Sequence, residues 1–102
     1  MTTHVLLLGR TPFDPLAVET EISVSGVELA YGTSLGDVEA AFSRGPVDVV
    51  IMGAGIPLAD RLDIVEHVFA SSDSTSVHMK DRASGPRGMM PFINQVLSGL
   101  GA

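Results

Sequence analysis

Apolar residues fall along the chain in four short runs, and each run is followed by a stretch of helical spacing. Val5 to Leu8 is a compact apolar run ended by Gly9, which predicts a short buried strand. Asp14 and Pro15 then open a helix, because Asp is a good N-cap and Pro suits the first helical position. Leu16, Val18 and Ile22 are partly helical in spacing, with Glu19 and Glu21 left to solvent. Val27 to Tyr31 alternates weakly, as an edge strand does. Ser34 and Asp37 resemble a capping box in front of a helix through Val38, Ala41 and Phe42, which Gly45 and Pro46 stop. Asp48 to Met52 is a β-branched, nearly continuous apolar run, the pattern of a central parallel strand covered on both faces. Asp60 is the expected cap of a third helix, with Leu62, Ile64, Val65, Val68 and Phe69 as its apolar face. Thr75 to Met79 is the fourth strand, and Pro91 starts a last helix whose apolar side is Phe92, Ile93, Val96, Leu97 and Leu100.

Strands and helices therefore alternate four times, which argues for a parallel sheet with right-handed crossovers. The expected architecture is one α/β domain over residues 1–102, a three-layer α/β/α sandwich with a four-stranded parallel sheet of order 2-1-3-4.

Composition narrows the picture. Hydrophobic residues make up 45% and aromatic ones only 5%, so the core must be built from Val, Leu, Ile, Ala and Met. The net charge of −6 argues against nucleic acid and against an anionic membrane surface as partners. No cysteine is present, which removes disulfides, thiolate metal sites and a cysteine nucleophile. No two histidines stand at metal-binding spacing, and neither a metal nor a cofactor is expected. The first residues carry no cationic leader, and no run approaches the roughly 20 apolar residues of a membrane span, so cytoplasmic is the default reading.

Candidate chemistry gathers at the glycine-rich turn after the third strand, Gly53-Ala54-Gly55-Ile56-Pro57. Open α/β sheets place ligands at the carboxyl ends of their strands. No Asp or Glu ends this strand, and no Ser or Cys there offers a nucleophile. The turn has neither the third glycine of a dinucleotide fingerprint nor the Gly-Lys-Ser/Thr of a P-loop. Five of the six basic residues, Arg10, Arg61, Lys80, Arg82 and Arg87, fall in or just after βα turns, which share one edge of the sheet. Arg10, Gly53, Gly55, Lys80 and Arg82 form a candidate anion site, with glycine amides as additional donors. The competing reading pairs these cations with Asp14, Asp60, Asp63 and Asp81, and leaves the glycines as turn formers with positive φ. His78 and Lys80 share one face of the fourth strand, where a lysine can blunt an edge. Met89, Met90 and Phe92 are either an adaptable interaction patch or a plug in the core.

Val47 to Pro57 resembles the third strand and loop of response-regulator receiver domains, "P-D-hydrophobic run-D-x-x-x-P", with Pro57 at the proline position. Val5 to Pro12 resembles the first strand and its "D-D-x-P" turn, and Met90-Pro91-Phe92 is similar to the "K-P-F" turn with Met90 in place of lysine. The resemblance implies a flavodoxin-like fold. The acidic pair of the family falls on Gly9 and Arg10, and its phosphoryl-accepting Asp falls on Gly53. A receiver-like domain with those substitutions has lost both Mg²⁺ ligands and nucleophile. The resemblance thus implies a pseudo-receiver: a non-catalytic signalling or protein-interaction module with a protein partner. An unpaired edge strand points to a homodimer through the fourth strand or last helix as one form of that contact. The alternative is a protein that binds, or an enzyme that acts on, a small phosphate or carboxylate at the basic rim.

Overall fold

A computed structural model of the chain describes residues 2–81, 85 and 88–100. Eight elements follow in strict alternation: β1 (Thr3–Leu8), α1 (Pro15–Glu21), β2 (Val27–Gly32), α2 (Leu35–Arg44), β3 (Val49–Met52), α3 (Leu58–Ser71), β4 (Ser76–Met79) and α4 (Met89–Leu100). The four strands form one all-parallel sheet of order β2-β1-β3-β4. This is the flavodoxin-like arrangement, with the order reversing between β1 and β3.

The pleat explains why the central strands are apolar throughout. Side chains alternate between faces, so β1 and β3 supply two cores at once. Leu6, Leu8, Val50 and Met52 meet Val38, Ala41, Ile64 and Val68 of α2 and α3. Val5, Leu7, Val49 and Ile51 meet Val18, Ile93 and Leu97 of α1 and α4. All four residues of β3 are buried. Each such side chain contributes about 1.5–3 kcal/mol of burial, and a polar residue on either face would forfeit that.

Side chains secure the ends of the elements. Asp14 Oδ1 accepts from the Leu16 amide (3.1 Å) ahead of Pro15, as expected of an N-cap. Asn94 of α4 reaches across to the end of α1: its Oδ1 accepts from the Ser23 amide (2.8 Å) and its Nδ2 donates to the Glu21 carbonyl (3.1 Å). Buried Thr75 donates through Oγ1 to the Val47 carbonyl (2.5 Å), tying the entry of β4 to that of β3. Gly45 takes φ +154° where α2 ends.

Four expectations need correction. The third helix starts at Leu58, with Pro57 at its cap and no side-chain cap bond, so Asp60 lies in the first turn and is not the N-cap. Of its apolar residues Ile64 and Val68 face the sheet, while Leu62 and Phe69 are 55% and 56% exposed. The last helix starts at Met89, ahead of Pro91, whose missing N–H falls in the first turn where no intrahelical acceptor exists. Leu16 likewise points outward, and Val18 alone carries the buried face of α1. Among the described residues, no helix is long and apolar enough to cross a membrane.

Candidate functional site

The turns after β1, β3 and β4 leave an open cleft of about 500 Å³ at the carboxyl edge of the sheet. It sits where β1 and β3 diverge, their connections leaving to opposite faces. Gly9, Arg10 and Phe13 line one side, Gly53, Ala54 and Gly55 the floor, and Lys80, Gly85 and Met89 the other side. The structure therefore brings together Arg10, Gly53, Gly55 and Lys80. Arg82 and Arg87 lie outside the described residues.

Lys80 is the unusual member. It directly follows β4, and its amide donates to the Met52 carbonyl (2.9 Å), which extends the ladder by one bond. The pleat then sends its side chain to the α1/α4 side, toward Met89. It is only 4% exposed, and Nζ donates to the Asp81 carbonyl (3.0 Å). The reading of Lys80 as an edge-blunting residue is thus corrected: it folds inward over the strand end. His78 shares its face, and its Nε2 lies 3.2 Å from Ser76 Oγ.

Arg10 is exposed and spans the cleft mouth. A Cβ at Gly55 would stand 3.1 Å from Arg10 Cβ, so the glycine makes room for the arginine stem. A Cβ at Gly53 would meet the Leu8 carbonyl and the Met89 Sδ at 3.6 and 3.7 Å and would project into the cleft. Neither glycine has positive φ, so their role is spatial, not conformational. The Gly53 amide is occupied by the Leu8 carbonyl (2.8 Å) and the Gly9 amide by the Gly32 carbonyl (3.2 Å), so neither remains as an anion donor. No described residue accepts from the Ala54 or Gly55 amide.

Electrostatically the cleft is one-sided. Two cations and no carboxylate stand among its described lining residues. Among the described residues Arg10 and Lys80 make no ion pair with Asp14, Asp60 or Asp63, while Asp81, next to Lys80, is itself engaged; a His4–Glu28 pair stands at 3.5 Å. That pair belongs to the opposite edge, where a smaller cavity of about 260 Å³ lies between β1, β2 and the end of α2. No cluster of three His, Asp or Glu among the described residues is placed to hold a metal.

Two flanking groups are tuned by their surroundings. Burial, and then the charge of Glu19, push the Tyr31 hydroxyl above its ordinary value. That hydroxyl is buried with no hydrogen-bond partner, and its ring tilts against Phe13 at 6.0 Å. The Thr33 amide, donating at 2.7 Å, holds the Asp37 carboxyl below the usual range.

Met89, Met90 and Phe92 are half-buried against the α1/α4 core, and Met89 also walls the cleft. Sequence reasoning did not foresee Phe13 as the facing wall. Its position between Pro12 and Asp14 in the first βα turn was the available signal. The assembled site offers charge and an apolar wall to an anionic group, and it presents no carboxylate nucleophile. No protein-family model, curated protein or solved structure matches this chain.

Proposed function

We propose that this protein is a non-catalytic, receiver-like module whose carboxyl-edge cleft binds a small molecule carrying a phosphate or carboxylate. The observation that carries the reading is Lys80: a side chain almost wholly withdrawn from solvent, at the end of an edge strand, in a cleft whose other charged wall is Arg10. Burying a cation is costly unless opposite charge meets it. A bound anion supplies such charge through charge-assisted hydrogen bonds. The Ala54 and Gly55 amides are further donors at the same edge. Phe13 and Met89 suit an apolar or planar body behind the anionic head. Gly53 at the position of the receiver nucleophile, with Gly9 and Arg10 at those of its acidic pair, favours binding over phosphoryl transfer.

The test is thermal unfolding in inorganic phosphate, a mononucleotide and a dicarboxylate, each against chloride at equal ionic strength. Binding to the native state raises Tm by mass action. The expected result is a saturable rise with at least one of them, lost in Lys80→Met and weakened in Arg10→Ala. Equal Tm values in all salts at matched ionic strength refute the reading.

A further inference from the structure

Four of the six large exposed apolar side chains among the described residues gather in one place, with Leu16 and Leu35 standing apart. Leu58, Leu62 and Phe69 of α3 are 58%, 55% and 56% exposed, and Met79 of β4 is 45% exposed. With Val65, the helix residues recur at spacings of four, three and four, which places them on one stripe of α3. The stripe has a definite orientation. His67 meets Phe42 of α2 edge-on at 6.2 Å, and Ile64 and Val68 face the sheet. By helical phase the stripe lies on the remaining side, turned away from α2 and overhanging β4.

β4 is an edge strand, paired only with β3. The amides of Ser76 and Lys80 donate inward to the Asp48 and Met52 carbonyls. Backbone groups alternate in direction along a strand, so Val77 and Met79 turn their N–H and C=O outward. The side chain of Val77 packs on the α2/α3 face, and the pleat puts Met79 there too. Open hydrogen-bonding groups and an open apolar stripe thus border the same free edge. Arg61 lies between the stripe and the sheet, and its Nε is buried with no hydrogen-bond partner.

We infer that the chain forms a two-fold dimer by antiparallel pairing of β4 with β4 of a second copy, giving a continuous eight-stranded sheet. The edge is self-complementary: Val77 opposite Met79 of the second copy, and the reverse, exchange four hydrogen bonds. Strands about 4.8 Å apart put two helices centred over β3 and β4 roughly 10 Å apart across the axis. That is the spacing of packed helices, so the two stripes meet. Each half-exposed side chain leaves on the order of 100 Å² open. Four per copy give roughly 800 Å² for the pair, and with Val65, Arg61 and the strand edge the contact passes the about 1,000 Å² of a specific interface. Each copy carries a net charge of −6, so association tightens as salt screens the repulsion. The inference stands independently of the anion cleft, which lies at the carboxyl edge of the sheet.

The test is sedimentation equilibrium of the whole protein over a concentration series, with amide exchange on the same samples. The expected result is a species of twice the 10.7 kDa chain mass. Exchange at Val77 and Met79 slows as concentration rises, while exchange at His78, bonded inward, stays constant. Leu62→Glu/Phe69→Glu and, separately, Met79→Lys give monomers with unchanged circular dichroism, and Leu16→Glu on α1 leaves the dimer intact. A single 10.7 kDa species up to about 1 mM overturns the inference. So does a dimer in which Val77 and Met79 exchange independently of concentration, as does an edge protected only by a different protein.

Discussion

Replacing Lys80 with methionine separates the stability of the fold from the use of its cleft. Methionine keeps the length and apolar stem of the side chain and removes the ammonium. The wild-type residue is 4% exposed, and an acceptor of its ammonium among the described residues is the Asp81 carbonyl. A charge-assisted hydrogen bond returns about 1.5–3 kcal/mol, while withdrawing a charge from water costs several kcal/mol. The balance favours the apolar side chain, so Lys80→Met is expected to be more stable in chloride by about 1 kcal/mol. For a domain of this size that is a rise in Tm of about 4–8 °C. A saturating anion reverses the order. At a ligand concentration of 100 times Kd the wild type gains about 2.7 kcal/mol, and the variant gains almost nothing. Urea titrations of both proteins in chloride and in phosphate, at equal ionic strength, therefore give stability rankings that cross. If the variant is the less stable protein in both salts, Lys80 is a structural strut for the chain after β4. If both proteins gain equally from phosphate, the anion binds elsewhere.

Other expected outcomes follow from single observations. Tyr31→Phe removes a buried, unpaired hydroxyl and is expected to be neutral or stabilising by up to about 1 kcal/mol. Because burial and Glu19 raise the Tyr31 pKa in the fold, the folded state holds the proton longer, so stability declines as pH rises above the ordinary value of 10.0. That alkaline decline should shrink in Tyr31→Phe. Asp37 has the opposite sign: its depressed folded pKa stabilises fully above the ordinary value of 3.8 and is lost as pH falls through the folded pKa. Asp37→Asn should flatten this acid limb in a urea titration against pH. Asn94→Ala breaks both bonds to the end of α1 and should cost about 1–3 kcal/mol, read as a lower urea midpoint. Gly55→Ala crowds the Arg10 stem and should weaken anion binding while barely moving Tm in chloride.

Much of the fold was legible because β1 and β3 are buried on both faces, and only a parallel sheet sandwiched between helices asks for that pattern. Four βα units and right-handed crossovers give a parallel sheet, while the strand order came with the resemblance to receiver domains. The face of α3 was not legible. Its apolar residues form two adjacent stripes, Ile64/Val68 and Leu58/Leu62/Phe69, and helical spacing alone does not say which one a sheet will cover. The start of α3 was missed because Asp60 looks like a cap, whereas Pro57 with its fixed φ already sets the first turn. For the site, the edge and four of its residues could be read from turn positions. The depth of Lys80 could not, because it depends on one extra ladder bond beyond β4 and on the wall that α4 builds with Met89. The amide of Gly53 looked available in the sequence but is consumed by the sheet itself.

The central claim, an anion seated between Arg10 and Lys80, is tested most directly by following backbone amide resonances as inorganic phosphate replaces chloride at constant ionic strength. Saturable shifts confined to residues 9–13, 53–55 and 80, and absent in Lys80→Met, are the expected result. Shifts that climb linearly without saturating, or that spread over the whole surface, contradict it.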